Sequence, residues 1–375
     1  MTTQQPDGQC WFQCKHKGPP SRRCKGKAGP GKLSCFRKTH ECSVANEVYE
    51  NTEMPKELSE IIGGFLLPVP ITAYLIGGIS GRTGRNKPFF VDSVTNIDGV
   101  LHFPIKKTSL TAGEFTRTQW GGGSFFGSCA LDGKIYVFGG RNNEDSDEMA
   151  RRKVAVYSPV TDTWDTTTIP MMPGGLLSST AVTVGSTIYV LGCEDNSRNA
   201  RPEPMYMLDT VSFQWSTVDV TMPPVHHPTV CNIDHVIYAF GGRDIDDVYD
   251  DHVYTFDTEA TEPRWEILVA RIPGTSPLSK AIVFKKKIYL FGDEDTFHVF
   301  DPEDETFRQL SPPGEDFDVK PFLLDDEKYI HVVTREKEKI RTYDVDKDTW
   351  LTTEVLIPND DNEERYHFSV VSVEG

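Results

Sequence analysis

Residues 135–140 read IYVFGG, and the phrase returns along the chain as AYLIGG (73–78), IYVLGC (188–193), IYAFGG (237–242) and IYLFGD (288–293). Tyr74, Tyr136, Tyr189, Tyr238 and Tyr289 each stand three residues before a glycine: Gly77, Gly139, Gly192, Gly241 and Gly292. Successive glycines lie 62, 53, 49 and 51 residues apart, which sets a repeating unit of about fifty residues. A weaker sixth copy is KYIHVVT (328–334), without the glycines. Alternating apolar residues that end on glycine predict a short strand followed by a sharp change of backbone direction.

Outward from this phrase, a second marker recurs in phase. It reads YSPVTDTW (157–164), LDTVSFQW (208–215), FDTEATEPRW (256–265), FDPEDETF (300–307) and YDVDKDTW (343–350). An aromatic or Leu and a Trp or Phe are seven residues apart in four copies and nine in the third. A constant gap through a variable turn predicts a tight hairpin, with the second aromatic packing between neighbouring units. Ahead of each tyrosine phrase runs a further apolar strand: FFGSCAL (125–131), STAVTV (179–184), PTVCNI (228–233), SKAIVF (279–284) and KPFLLD (320–325). Each unit is therefore four short antiparallel strands. The first copy lacks its own leading strand and has Phe103 in place of the Trp, while RYHFSVVSV (365–373) reads as a leading strand with no unit after it. Pairing the two closes a ring of six and removes two open sheet edges.

In this order of markers the chain, over about residues 70–375, resembles the Kelch-repeat family. The resemblance implies an all-β, six-bladed Kelch-type β-propeller closed by the C-terminal strand. It also implies that the loops joining second to third strands share one face with those leading into the innermost strands, a face that commonly receives peptides. Some propellers similar to these are enzymes, so the fold alone does not exclude catalysis. No nucleotide loop, nucleophile elbow or paired metal-histidine motif occurs here, and the chain reads as a non-enzymatic interaction module. The one grouping that suggests copper, His226, His227, Cys231 and His252, reads more simply as a loop leading into the fourth blade.

Charge divides the chain. Residues 1–42 carry nine Lys and Arg against Asp7 and Glu41, a balance of +7, which leaves −24 on the rest of a chain of net charge −17. Five of the eight cysteines also fall there: Cys10, Cys14, Cys24, Cys35 and Cys42. CKHKGPPSRRCKGKAGPGKLSCFRKTH (14–40) resembles a short zinc-binding pattern, which implies Cys14, Cys24, Cys35 and His40 as ligands, with Cys10 or Cys42 as substitutes. A basic tail without fold and a disulfide framework are the other readings of this segment. Residues 1–45 are thus a basic Cys-rich segment that offers a contact for nucleic acid, 46–69 a connector, and 70–375 the propeller. MPKELSEIIGGFL (54–66) is similar to the opening helix of an F-box, so a ubiquitin-ligase substrate receptor is the alternative function. The uncharged run 61–80 is broken by two prolines and four glycines, and its second half belongs to the first repeat rather than to a membrane span. With no secretory leader pattern at the start, the expected location is intracellular, in cytoplasm or nucleus.

The loops between second and third strands are acidic, most densely in RDIDDVYDDH (243–252). Asp244, Asp246, Asp247, Asp250 and Asp251 are the candidate partner-binding residues, together with Arg365, the one arginine near the start of an innermost strand. A face built this way favours a basic or apolar protein or peptide over an acidic one.

Overall fold

In the computed structural model the chain divides between Val69 and Pro70, and every described residue belongs to the second unit. The structure describes residues 71–77, 79–80, 91–97, 100–103, 126–140, 151–176, 178–193, 204–218, 228–243, 246, 248–274, 278–292, 296–313, 319–324, 327–334, 339–357, 365–366 and 368–373.

Six antiparallel sheets follow one another, each ordered from an innermost to an outer strand. Blade 2 is Gly127–Leu131, Lys134–Phe138, Val154–Ser158 and Thr163–Asp165. Blade 3 is Ser178–Val184, Thr187–Cys193, Met205–Asp209 and Gln214–Val218. Blade 4 runs Thr229–Ile233, Val236–Phe240, His252–Asp257 and Trp265–Arg271, and blade 5 Leu278–Phe284, Lys287–Gly292, Phe297–Asp301 and Thr306–Gln309. Blade 6 is Lys320–Phe322, Tyr329–Val333, Lys339–Asp344 and Thr349–Trp350, with Val355–Leu356 also paired to its third strand. Blade 1 takes its innermost strand, Ser369–Val373, from the far end of the chain and continues with Thr72–Ile76, Val91–Ile97 and Val100–His102.

The ring closes as the repeat count requires. Tyr74 faces Val371 and Ala73 faces Ser372 across the joint, and the innermost strands touch one another in unbroken cyclic order from blade 1 to blade 6 and back. RYHFSVVSV is not one strand, however: Arg365–Tyr366 pairs with Ile79–Ser80 in a separate two-stranded piece, and only Ser369–Val373 closes the ring. The other innermost strands start within two residues of where the sequence places them, and the last is cut short to Lys320–Phe322.

The turn chemistry accounts for the markers. In the seven-residue copies Asp162, Phe213, Glu305 and Asp348 all adopt left-handed backbone, φ 52–57°, at the last residue of the hairpin, the position that lets a short loop rejoin the twist of its strands. The nine-residue copy in blade 4 has no such residue between Asp257 and Trp265. At the start of the same turn Asp209 Oδ1 accepts from the backbone N–H of Val211 at 2.8 Å and of Ser212 at 3.2 Å; Asp257, Asp301 and Asp344 do likewise for their own turns. Blade contact is close on the inside: Gly127 N donates to Ser179 Oγ of blade 3 at 2.7 Å, and a Cβ at Gly127 would stand 3.0 Å from that oxygen.

Among the described residues six clusters of the core lie one at each seam between blades, and a small seventh, Ala239 with Tyr254, lies within blade 4. The outer aromatics seal them. Trp215 meets Phe138 of blade 2 edge-on at 6.0 Å, and Trp350 meets Phe297 of blade 5 at 5.8 Å. Their indole N–H groups donate at 2.8 Å to Pro170 O and Ser311 O. Each such aromatic pair adds about 0.5–1.5 kcal/mol beyond its buried area. Phe103 packs in the seam of blades 6 and 1, taking the place of the missing Trp. Among the described residues no helix is long and apolar enough to cross a membrane.

Candidate functional site

The acidic loop of blade 4 joins its second and third strands. Gly241 and Gly242, at φ 59° and 104°, turn the chain out of the sheet in a backbone region that side chains resist. Gly241 N donates to His252 O at 3.1 Å and Asp250 N to Gly242 O at 3.0 Å, while Arg243 and Tyr249 form a further bridge. The loop is therefore a narrow extension of the hairpin rather than an open excursion. Near its tip the Arg243 guanidinium lies 4.5 Å from the Tyr249 ring centre and donates to the Tyr249 hydroxyl. Asp246, Val248 and Tyr249 are exposed there, and Val248, at 58% exposure, places an apolar side chain among the acids.

At the base the geometry differs. Asp250 is half-buried and accepts from three donors: the backbone N–H of His252 at 3.2 Å, the Nδ1 of the same residue, and the Tyr254 hydroxyl at 2.5 Å. Asp251 Oδ1 stands 3.6 Å from His252 Nδ1 and 3.7 Å from Arg271 Nη1 of the outer strand, and Asp251 O accepts from Ile272 N at 2.8 Å. Burial pushes the Tyr254 hydroxyl well above the usual tyrosine range, helped by its bond to Asp250 and by the Asp250 and Asp251 charges. One ligand atom from each of Asp250, Asp251 and His252 falls within 4.8 Å of the others. The oxygens of Asp250 are already engaged by His252 and Tyr254, so the group is a closed hydrogen-bond network that fixes the base of the loop.

The predicted residues therefore separate into two roles. Asp246 is displayed, whereas Asp250 and Asp251 hold the hairpin; Asp244 and Asp247 lie outside the described residues. Arg365 pairs through its backbone with Ser80, and its side chain is outside the description. Cys10, Cys14, Cys24, Cys35, His40 and Cys42, the segment 54–66, and His226 and His227 also fall outside it. Of the copper grouping, Cys231 is buried in an innermost strand with its thiol pushed upward by burial, and His252 is bound to Asp250. Sequence reading passed over Arg243, Tyr249, Tyr254 and Arg271. The first two carried a signal: six residues apart after a Gly-Gly turn, they sit where a hairpin tip pairs its two sides.

On the same side of blade 2, the basic end of the loop 141–152 has a structural use. Arg152 Nε donates to Met172 O at 2.8 Å, while Met172 N and Leu176 N donate to Arg152 O and Arg151 O. These bonds anchor the segment that leads into blade 3.

The family model described as the KLHDC2/KLHL20/DRC7 Kelch-repeats domain matches residues 126–320, just over half of the chain. Mouse Kelch-like protein 35 is 27% identical over 198 residues, covering 52% of this chain and 31% of its own length. Bovine Kelch domain-containing protein 3 is 22% identical over 209 residues, 49% of this chain and 53% of its own. Kelch-like protein 25 of Xenopus tropicalis is 25% identical over 178 residues, 46% of this chain and 29% of its own. The match thus spans about half or less of the length of each of these relatives.

Proposed function

This chain belongs to the Kelch-repeat family, and on that premise we propose that its propeller is a non-enzymatic protein-interaction module that presents the blade 4 hairpin to a basic or apolar peptide. The observation that carries the reading is the hairpin itself. A pinned base of Asp250, Asp251, His252 and Arg271 supports a tip where exposed Val248 and Tyr249 stand beside Asp246. Tyr249, already held against Arg243, loses little entropy on contact, and a tyrosine offers a large rigid area with a polar end. Asp246 adds attraction for lysine or arginine.

The test is partner capture with the full chain followed by mass spectrometry, comparing the wild type with the double variant Asp246→Asn/Tyr249→Ala. Partners should be lost at least tenfold from the variant while its melting temperature is unchanged. Recovery of the same proteins in the same amounts overturns the assignment of this face. A second reading, a ubiquitin-ligase substrate receptor, rests on the sequence at 54–66; co-purification of a ligase adaptor that disappears on replacing residues 57–62 supports it.

A further inference from the structure

The third strands of blades 3, 4 and 5 place one residue at an equivalent position. MYMLD (205–209), HVYTFD (252–257) and FHVFD (297–301) put Tyr206, Tyr254 and His298 there. The Tyr254 hydroxyl reaches Asp250, whereas His298, 7% exposed, has a buried Nδ1 with no hydrogen-bond partner. Alternation along the strand accounts for this isolation. Phe297 and Val299 pack toward blade 6, so His298 turns with Phe300 into the seam with blade 4. Phe240, Val253 and Ile272 wall that seam on one side and Ile288 and Leu290 on the other. Its titratable members, Cys231 and Tyr238, are pushed upward by burial and stay neutral in acid. Gln309, directly opposite His298 on the outer strand, carries no charge. Charged groups on the faces bordering the seam have partners of their own: Glu266 with Arg264, Asp257 with His235 and Asp251 with Arg271.

Ile272 joins this seam to the acidic hairpin. Its side chain is buried in the seam and lies 3.5 Å from where a Cβ on Gly241 would stand. Its N–H donates to Asp251 O at the hairpin base. Of the buried residues in this cluster it alone lies outside a strand, so no ladder holds it in place. Blade 3 shows the equivalent contact: Tyr206 packs with Ile169, which like Ile272 precedes a proline in the linker to the next blade. An imidazolium in such a seam finds no acceptor to replace water, and burial accordingly holds His298 below its ordinary 6.5.

We propose that His298 is an acid sensor for the hairpin: on taking up a proton it displaces Ile272 from the seam and so frees the hairpin base from its anchor at Asp251. The regulation rests on the hairpin being the partner-binding site, and its consequence there is release of the partner in acid. The sign follows from linkage. The displaced state binds the proton more readily than the closed one, so closure is complete above pH 6.5 and is lost as pH falls from there through the folded pKa.

Hydrogen exchange on the full chain without a partner, expressed as protection relative to the intrinsic rate at each pH, tests this. One pH unit below the ordinary value the proton favours the displaced state by about tenfold at most. Between pH 7.5 and 5.5, protection of the Ile272 amide should therefore fall by about fivefold or more. Protection at Met172, whose N–H makes the like anchor to Arg152 O, should hold. His298→Tyr, which installs the residue of blades 3 and 4, should abolish the fall; should it not fold, His298→Leu should do the same. Equal protection of Ile272 at the two pH values in the wild type overturns the proposal. So does a fall that the His298 variants keep, the result that titration of His252 at the base would give. Because no partner is present, either outcome is independent of whether the hairpin is the face that partners bind.

Discussion

The closure of the ring makes a quantitative demand on two valines. Val371 and Val373 of the closing strand are 8% and 3% exposed and pack with Ile135, Val137 and Tyr157 of blade 2. Truncating a buried valine to alanine removes two methyl groups, each worth about 0.8 kcal/mol of transfer, and leaves a partly unrelaxed cavity; we take about 2 kcal/mol per site. The double variant Val371→Ala/Val373→Ala should then lose about 4 kcal/mol, less any coupling between two sites on one face of one strand. That is a large fraction of the 5–15 kcal/mol that holds a typical domain folded. The control is another β-branched pair two residues apart, Ile267 and Val269 on the outer strand of blade 4, at 57% and 90% exposure. Ile267→Ala/Val269→Ala should cost no more than about 0.5 kcal/mol per site. Urea unfolding of both variants, read by tryptophan fluorescence, gives the midpoints and slopes for comparison. If the closing-strand pair costs as little as the rim pair, Ser369–Val373 is not an integral strand of blade 1 and the closed ring is wrong.

Three further outcomes follow from particular groups. Burial lowers the pKa of His298 below its ordinary 6.5, so the unfolded chain binds the proton more readily; stability is at its full value above pH 6.5 and is lost as pH falls from there through the folded pKa. His298→Leu should flatten that part of the acid slope in urea midpoints taken between pH 7.5 and 5, and an unaltered slope refutes the assignment. The Tyr157 and Tyr343 hydroxyls donate to Asp162 at 2.7 Å and to Asp348 at 2.5 Å in equivalent hairpins; Tyr157→Phe and Tyr343→Phe should each cost about 1–2 kcal/mol, and denaturation showing less than a few tenths at both would remove the bond from the account of the turn. For residues 1–45 we propose one metal held by Cys14, Cys24, Cys35 and His40. Cobalt added to the full chain should give the visible absorption of a tetrahedral thiolate site that Cys24→Ala abolishes, and a featureless spectrum removes the site.

The repeat was legible because its reasons are local. A left-handed residue at the end of a hairpin, an Asp that accepts from its own turn and an aromatic seven residues from its partner are set within a few residues, so the same solution recurs and can be read as spacing. Blade count and closure were legible too, since an unpaired second strand at one end and an unpaired leading strand at the other leave one economical pairing. RYHFSVVSV marks where this ended: as a string it is one strand, yet only the fold divides it between Ile79–Ser80 and Thr72–Ile76.

The acidic loop shows the same boundary. Its charge is a property of composition, and the sequence by itself determined that blade 4 carries the densest run of acids. The separation of roles within that run was decided by the folded structure, because Asp250 meets Tyr254 of the third strand and Asp251 meets Arg271 of the outer strand, some twenty residues on. The burial of Lys320, His331 and Thr342 likewise has no signature in the string: they share the strand alternation of Phe322, Val333 and Ile340, which blade 1 covers only when the ring closes. Local geometry is written in local spacing, whereas the cost of burying a charge depends on which distant surface comes to cover it.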